Sequence, residues 1–101
     1  MKVGLPTSDA KGLEGELGEH FGRVPYYTIF DDADGSVRVV NNTSEHMGGV
    51  GMPAEILSKE GIGVLVCRGL GWRAVEMFKE SGIDVYVGAT GTVDNALKLW
   101  K

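Results

Sequence analysis

The sequence predicts an α/β fold with a five-stranded mixed sheet, in the order β-β-β-α-β-α-β-α. Three observations carry this reading. The turn signal Asp34-Gly35 joins two β-branched and aromatic runs, 26–30 and 37–40, into a hairpin. The run Ile62-Gly63-Val64-Leu65-Val66-Cys67 is nearly all apolar, as a strand covered on both faces is. Gly61-Ile62-x-Val64-x-Val66 recurs 21 residues later as Gly82-Ile83-x-Val85-x-Val87, and each copy lies between helical patterns. Two copies are too few for a solenoid. They read as successive strand–helix units of one parallel half-sheet.

The elements follow in order. Lys2-Val3-Gly4-Leu5-Pro6 alternates as a short first strand with Pro6 near its end. Residues 8–23 are polar and glycine-rich and read as one long loop, a length that compact domains tend to reserve for function. The hairpin strands come next. Residues 41–52 form a second polar, glycine-rich loop, and Pro53 then suits the first turn of a helix. Ala54, Ile56 and Leu57 supply the inner face of that helix and Gly61 its stop. After the apolar strand, Gly69-Leu70-Gly71 turns into a helix with Ala74, Val75 and Phe78 on one face, ended by Gly82. Ile83, Val85 and Val87 alternate as the fifth strand. Thr92 is a good N-cap, and Val93, Ala96, Leu97 and Trp100 repeat at i, i+3, i+4, i+7 for the last helix.

Composition bounds the function classes. The 101 residues fit one domain, 1–101, without linker or low-complexity tract. Hydrophobic residues at 43% and charged residues at 24% are ordinary globular usage and argue against disorder. A net charge of -4 leaves no broad basic footprint for nucleic acid. No apolar run approaches the ~20 residues of a membrane span. The chain enters its first strand at Lys2 without a signal-peptide pattern, which points to the cytoplasm. One cysteine, Cys67, excludes an internal disulfide and a four-cysteine zinc site.

Strand direction decides where the loops meet. If the first, third, fourth and fifth strands run parallel, segments 8–24, 42–52, 67–71 and 88–91 share one rim. Ligands in open α/β sheets favour that rim. Both histidines, the cysteine and most of the glycines fall in these segments. His20 and His46 offer imidazoles, the commonest metal ligands in proteins. Cys67 as a thiolate suits iron or an iron–sulfur cluster, and Arg68 with the adjacent helix start is expected to lower its pKa. Arg23 presents a planar fork to an anion. Phe21, Gly22, Arg23, Gly48, Gly49, Arg68, Gly69 and Gly71 are the candidate cofactor-binding residues, with the glycines leaving room for a guest. Each feature also has a plainer reading: a solvated loop histidine, Phe21 as a core plug, and Cys67 as a small buried hydrophobe. Met47 and Met52 read as groups packing on the sheet end. Trp72 and Trp100 read as packing groups rather than stacking platforms. The Asp31, Asp32 and Asp34 cluster reads as turn formers on the opposite rim.

Enzyme motifs are scarce. There is no P-loop, no G-x-S-x-G elbow, no H-E-x-x-H and no C-x-x-C. Gly69-x-Gly71-x-x-Ala74 matches the dinucleotide fingerprint in form. The acidic residue expected at the end of the next strand is missing, since Val87-Gly88 stands there. What survives is anion binding at that helix start. A ribonuclease-H type of phosphoryl transfer is disfavoured, because no carboxylate cluster lies on the strands to hold two metals.

The run His20-Phe21-Gly22-Arg23-Val24-Pro25-Tyr26-Tyr27-Thr28-Ile29-Phe30-Asp31 resembles the signature of the dinitrogenase iron–molybdenum cofactor biosynthesis family, the NifX- and NafY-like cofactor carriers. The glycine pattern at 61–74 and 82–88 and the closing Gly91-Thr92-Val93 with Ala96 match it too, so the resemblance covers nearly the whole chain. It implies a three-layer ribonuclease-H-like fold and non-catalytic binding of an iron–sulfur or iron–molybdenum type cluster. It places the cluster-binding histidine at His20, with His46 where many relatives carry a second one. Arg68 departs from the family's usual glycine. The partners implied are proteins that donate and accept the cluster. Two other readings stay open at this stage: a nucleotide- or anion-binding regulatory module using Gly69 to Ala74, and a ligand-free interaction domain.

Overall fold

A computed structural model describes residues 1–19, 21–42 and 51–100. Five strands, β1 (Lys2–Thr7), β2 (Tyr26–Asp31), β3 (Ser36–Asn41), β4 (Ile62–Val66) and β5 (Asp84–Tyr86), form one sheet in the order β3-β2-β1-β4-β5. β2 runs antiparallel to β1 and β3, while β4 runs parallel to β1 and β5. β1, β3, β4 and β5 therefore share one direction, as the sequence reading assumed. Three helices, α1 (Gly51–Lys59), α2 (Trp72–Glu80) and α3 (Val93–Trp100), complete the predicted order.

The sheet is buried on both faces, which makes three layers. On one face α1 and α2 bring Leu57 and Phe78 onto Tyr27, Ile29, Ile62, Leu65, Cys67 and Ile83. On the other, α3 brings Val93, Ala96 and Leu97 onto Val3, Leu5, Val64 and Val66. The arrangement fits the ribonuclease-H-like description that the resemblance implies.

Local chemistry explains the element ends. Gly61 and Gly82 take φ of +78° and +80° just after α1 and α2, where a side chain would strain the backbone. The Thr92 hydroxyl accepts the Asn95 amide at 3.2 Å and caps α3. Gly35 turns the hairpin at φ +74°. At that tip, amides of Ala33 and Ser36 donate to the carboxylates of Asp31 and Asp34 at 3.0 and 2.9 Å, so these acids are turn formers as expected. The Ser36 backbone bond holds the Asp34 carboxyl below its usual value.

Boundaries shift slightly, with α1 starting at Gly51 ahead of Pro53 and β5 leaving out Ile83 and Val87, and two larger details depart from the sequence reading. In β4 the register passes from Lys2↔Ile62 to Val3↔Val64, so Gly63 is an extra residue, a bulge. It shifts the phase of the strand. Ile62, Leu65 and Cys67 point to the α1/α2 side, and Val64 and Val66 to the α3 side. The second departure is the long first loop. Its first half leaves the rim and folds back over the α3 face. Leu17 pairs with Thr7, Glu16 pairs with Thr92, and Val93 donates to the Gly15 carbonyl at 2.8 Å. A short 3₁₀ turn, Gly12–Glu14, reaches the far side of the sheet, where Gly12 stands beside Val37. The reason is coverage: this face has one helix where the other has two, and the loop supplies the missing cover.

Candidate functional site: a crevice at the strand carboxyl ends

The chain leaves β1 toward β2 on one side and leaves β4 toward β5 on the other. The carboxyl ends of β1 and β4 thus form the point where strand order reverses, the place where open α/β sheets bind ligands. Pro6 lies in this end of β1 and has no N–H to give to a neighbour. On the other side of the crevice, the Cys67 amide donates to the Tyr86 carbonyl of β5 at 3.0 Å.

Residues 18–19 and 21–24 form one wall. Gly18 is the hinge of the wall: its amide donates to the Pro6 carbonyl at 3.1 Å, and a β-carbon there would stand 2.1 Å from Val24 Cγ1. The chain crosses from one face of the sheet to the other at this end, since Leu17 belongs to the α3 core and Phe21 to the α1/α2 core. Phe21–Arg23 is a single 3₁₀ turn. The Phe21 ring packs against Tyr27 at 5.5 Å and edge-on to Phe78 at 5.4 Å, so it is a core plug. Arg23 is exposed beside it.

Residues 67–71 form the facing wall. Arg68 is exposed and lies 3.9 Å from the Glu19 carboxylate, an ion pair between the two walls. Exposed pairs of this kind contribute about 0–1 kcal/mol, so the guanidinium is readily given to another anion. Gly69 and Gly71 are exposed, have no positive φ, and would carry a β-carbon with nothing within 4 Å among the described residues. Neither backbone conformation nor internal packing calls for glycine at these positions.

Cys67 takes the plainer of its two readings. Its side chain is buried in the α1/α2 core, and desolvation pushes the thiol up to about 11. Arg68 points away to solvent and does not lower it. Trp72 also differs from its reading: it opens α2 at 69% exposure, with the Arg73 guanidinium 5.4 Å from its ring. Trp100 does pack on the α3 core. His20, His46, Met47, Gly48 and Gly49 lie outside the described residues. Among the described residues, no three of His, Cys, Asp and Glu gather closely enough to hold a metal ion, and no helix is long and apolar enough to cross a membrane.

The profile of the family described as dinitrogenase iron–molybdenum cofactor matches residues 1–101. The chain belongs to this family. An uncharacterized protein of Methanocaldococcus jannaschii, MJ0580, is 30% identical over 105 residues, spanning 99% of this chain and 85% of its own length. The apo form of the orange protein of Desulfovibrio gigas superimposes with a TM-score of 0.90 at 25% identity, over 98% of this chain and 85% of that one. TM1290 of Thermotoga, a NifB-like protein assigned to DUF35, gives 0.81 at 30% identity over 98% and 85%. The crystal structure of PH0822 gives 0.86 at 28% identity over 99% and 88%.

The sequence reading brought Phe21, Arg23, Arg68, Gly69 and Gly71 to this end of the sheet, and they are there. It placed Gly18 on this rim without singling it out, and it missed Tyr27 and Asn42 as supports. Gly18 was one glycine among sixteen, and only the approach of Val24 singles it out. Asn42 had one signal, an amide placed where a β-branched strand ends and a loop begins.

Proposed function

We propose that this family member is a non-enzymatic carrier or scaffold for an iron–sulfur or iron–molybdenum type cluster, acting in metal-cofactor assembly between a donor and an acceptor protein. The observation that carries this reading is the crevice wall at Gly69 and Gly71. Among the described residues nothing packs against its open glycines, and they stand beside the exposed Arg68, facing the wall that bears Phe21 and Arg23. A bulky anionic guest accounts for both the space and the charge. His20 is assigned as the principal ligand, with His46 as a second. Arg23 and Arg68 offset the negative charge. Cys67 takes part only where the guest draws its thiol out of the core and displaces its proton. Few fixed ligands suit a carrier, because the guest must leave again.

Anaerobic incubation of the apo protein with ferrous iron and sulfide, followed by visible absorption, tests this. A charge-transfer band is expected in the wild type, strongly reduced in His20→Ala and largely kept in Cys67→Ala. A band that is absent from the wild type, or unchanged in His20→Ala, removes the assignment. A second reading, anion binding at Gly69 to Ala74, is favoured by one observation: the start of α2 at Gly71 has no side-chain cap. Calorimetry with ATP separates the two, since binding at this turn survives His20→Ala and is lost in Gly71→Val.

A further inference from the structure

We propose that the Tyr27 hydroxyl and the Asn42 carboxamide are the positioning residues of the cluster wall, setting where residues 21–24 stand against Arg68. The inference rests on the carrier reading and names the groups beneath its first loop. A lone 3₁₀ turn has little internal support, because it is short and its hydrogen bonds are poorly aligned. Phe21–Arg23 is such a turn, and its surroundings supply what it lacks. Tyr27 is fully buried on β2, and its hydroxyl donates to the Phe21 carbonyl at 2.9 Å. Asn42 is buried just past β3. Its Nδ2 donates to the Val24 carbonyl at 2.8 Å, and its backbone amide donates to the Pro25 carbonyl at 2.9 Å. Three carbonyls within residues 21–25 are thus held by donors from β2 and from the end of β3. Those two strands pair Tyr26 with Asn41, so the two donors share one rigid base.

The arrangement has the logic of groups behind a metal ligand, whose loss typically weakens metal binding ten- to a hundredfold. His20 is joined by one peptide bond to Phe21, so the proposed ligand is the immediate chain neighbour of the turn that these donors hold. Burial also raises the Tyr27 hydroxyl, so it stays a donor throughout the neutral range.

The test compares Tyr27→Phe and Asn42→Asp with Thr28→Val. Thr28 bonds the Thr7 hydroxyl at 3.0 Å on the opposite face of the sheet, so its loss removes a buried hydrogen bond away from the turn. Each protein is reconstituted anaerobically with ferrous iron and sulfide. The readouts are visible circular dichroism, the rate of cluster loss to a chelator, and the melting temperature. The expected result is an altered dichroism and about tenfold faster loss in Tyr27→Phe and Asn42→Asp. Thr28→Val should keep both readouts while its melting temperature falls. Wild-type spectra and loss rates in Tyr27→Phe, or equal changes in Thr28→Val, overturn the proposal. If the wild type takes up no cluster, the carrier reading fails and the positioning is read in the apo protein. There, amide exchange at residues 22–24 rises about tenfold in Tyr27→Phe if the hydroxyl holds the turn, and stays at the wild-type rate if it does not.

Discussion

A thiol at the end of a central strand feels two opposed influences: a neighbouring cation that favours the thiolate, and a hydrophobic surround that disfavours it. For Cys67 the second wins, because the thiol and Arg68 leave the backbone in opposite directions and only the thiol enters the core. The consequence is a pH dependence of stability. The folded thiol keeps its proton to about 11, against 9.0 in an unfolded chain. Between these values the unfolded state binds fewer protons, so stability is full below pH 9 and is lost as pH rises toward 11. At about 1.4 kcal/mol per unit the loss is of order 2–3 kcal/mol. Urea unfolding midpoints should fall over this window in the wild type and fall distinctly less in Cys67→Ala. Equal slopes in the two proteins would contradict the burial. The sequence announced Cys67 and Arg68 as neighbours, and so they are along the chain. It could not announce that strand alternation sends them to opposite sides.

At the scale of elements, period and turn chemistry made the hairpin, the three helices and their glycine stops legible. The echo between β4 and β5 was legible too, yet misleading in detail. Val64 looks like the counterpart of Val85, but the bulge at Gly63 gives that place to Leu65, which pairs with Val85 and shares its face. A single inserted residue leaves no mark on composition. The fold-back of residues 8–17 was illegible for a different reason. It is held by backbone bonds to Gly91 and Val93, which no side-chain pattern encodes. The crossing after it depends on Gly18. In Gly18→Ala the new methyl collides with Val24, and the backbone bond to Pro6 limits retreat, so a loss of about 1–3 kcal/mol is expected. Val24→Ala should relieve much of it, giving a favourable coupling in a double-mutant cycle by urea denaturation. Additive losses would show that the loop yields elsewhere.

Across the whole molecule, the candidate site was legible as a place before it was legible as a set of contacts. Strand directions alone bring the residue 18–24 and 67–71 segments to one crevice. The supporting residues beneath it, Tyr27 and Asn42, were hidden inside an ordinary strand and a loop start. The exposed surface was not foreseen. Trp72, Tyr86, Val87 and Leu99 are all exposed around the free edge of β5, and Val87 borders two shallow grooves there, one lined by Trp72 and the other by Leu99. Trp72 should therefore dominate acrylamide quenching of tryptophan fluorescence. Trp72→Phe is expected to remove most of the quenchable emission and leave a bluer signal from the half-buried Trp100. A variant whose remaining emission quenches as readily as the wild type would place Trp72 in the core instead.

The bonds from Gly15 and Leu17 to Gly91 and Val93 also set an order of events in time. The segment that leads into His20 is threaded between the first strand and the start of the last helix. A nascent chain can pair β1 with β2, and β2 with β3, early, but the bonds of Gly15 and Leu17 to Val93 and Gly91 form only once residues 91–93 have been made and α3 has docked. The stretch that leads into the crevice wall is thus completed later than the Phe21–Arg23 turn, whose supports lie on β2 and at the end of β3. Under the carrier proposal, a growing polypeptide presents an unfinished seat, and competence to receive a cluster arrives with the docking of the last helix.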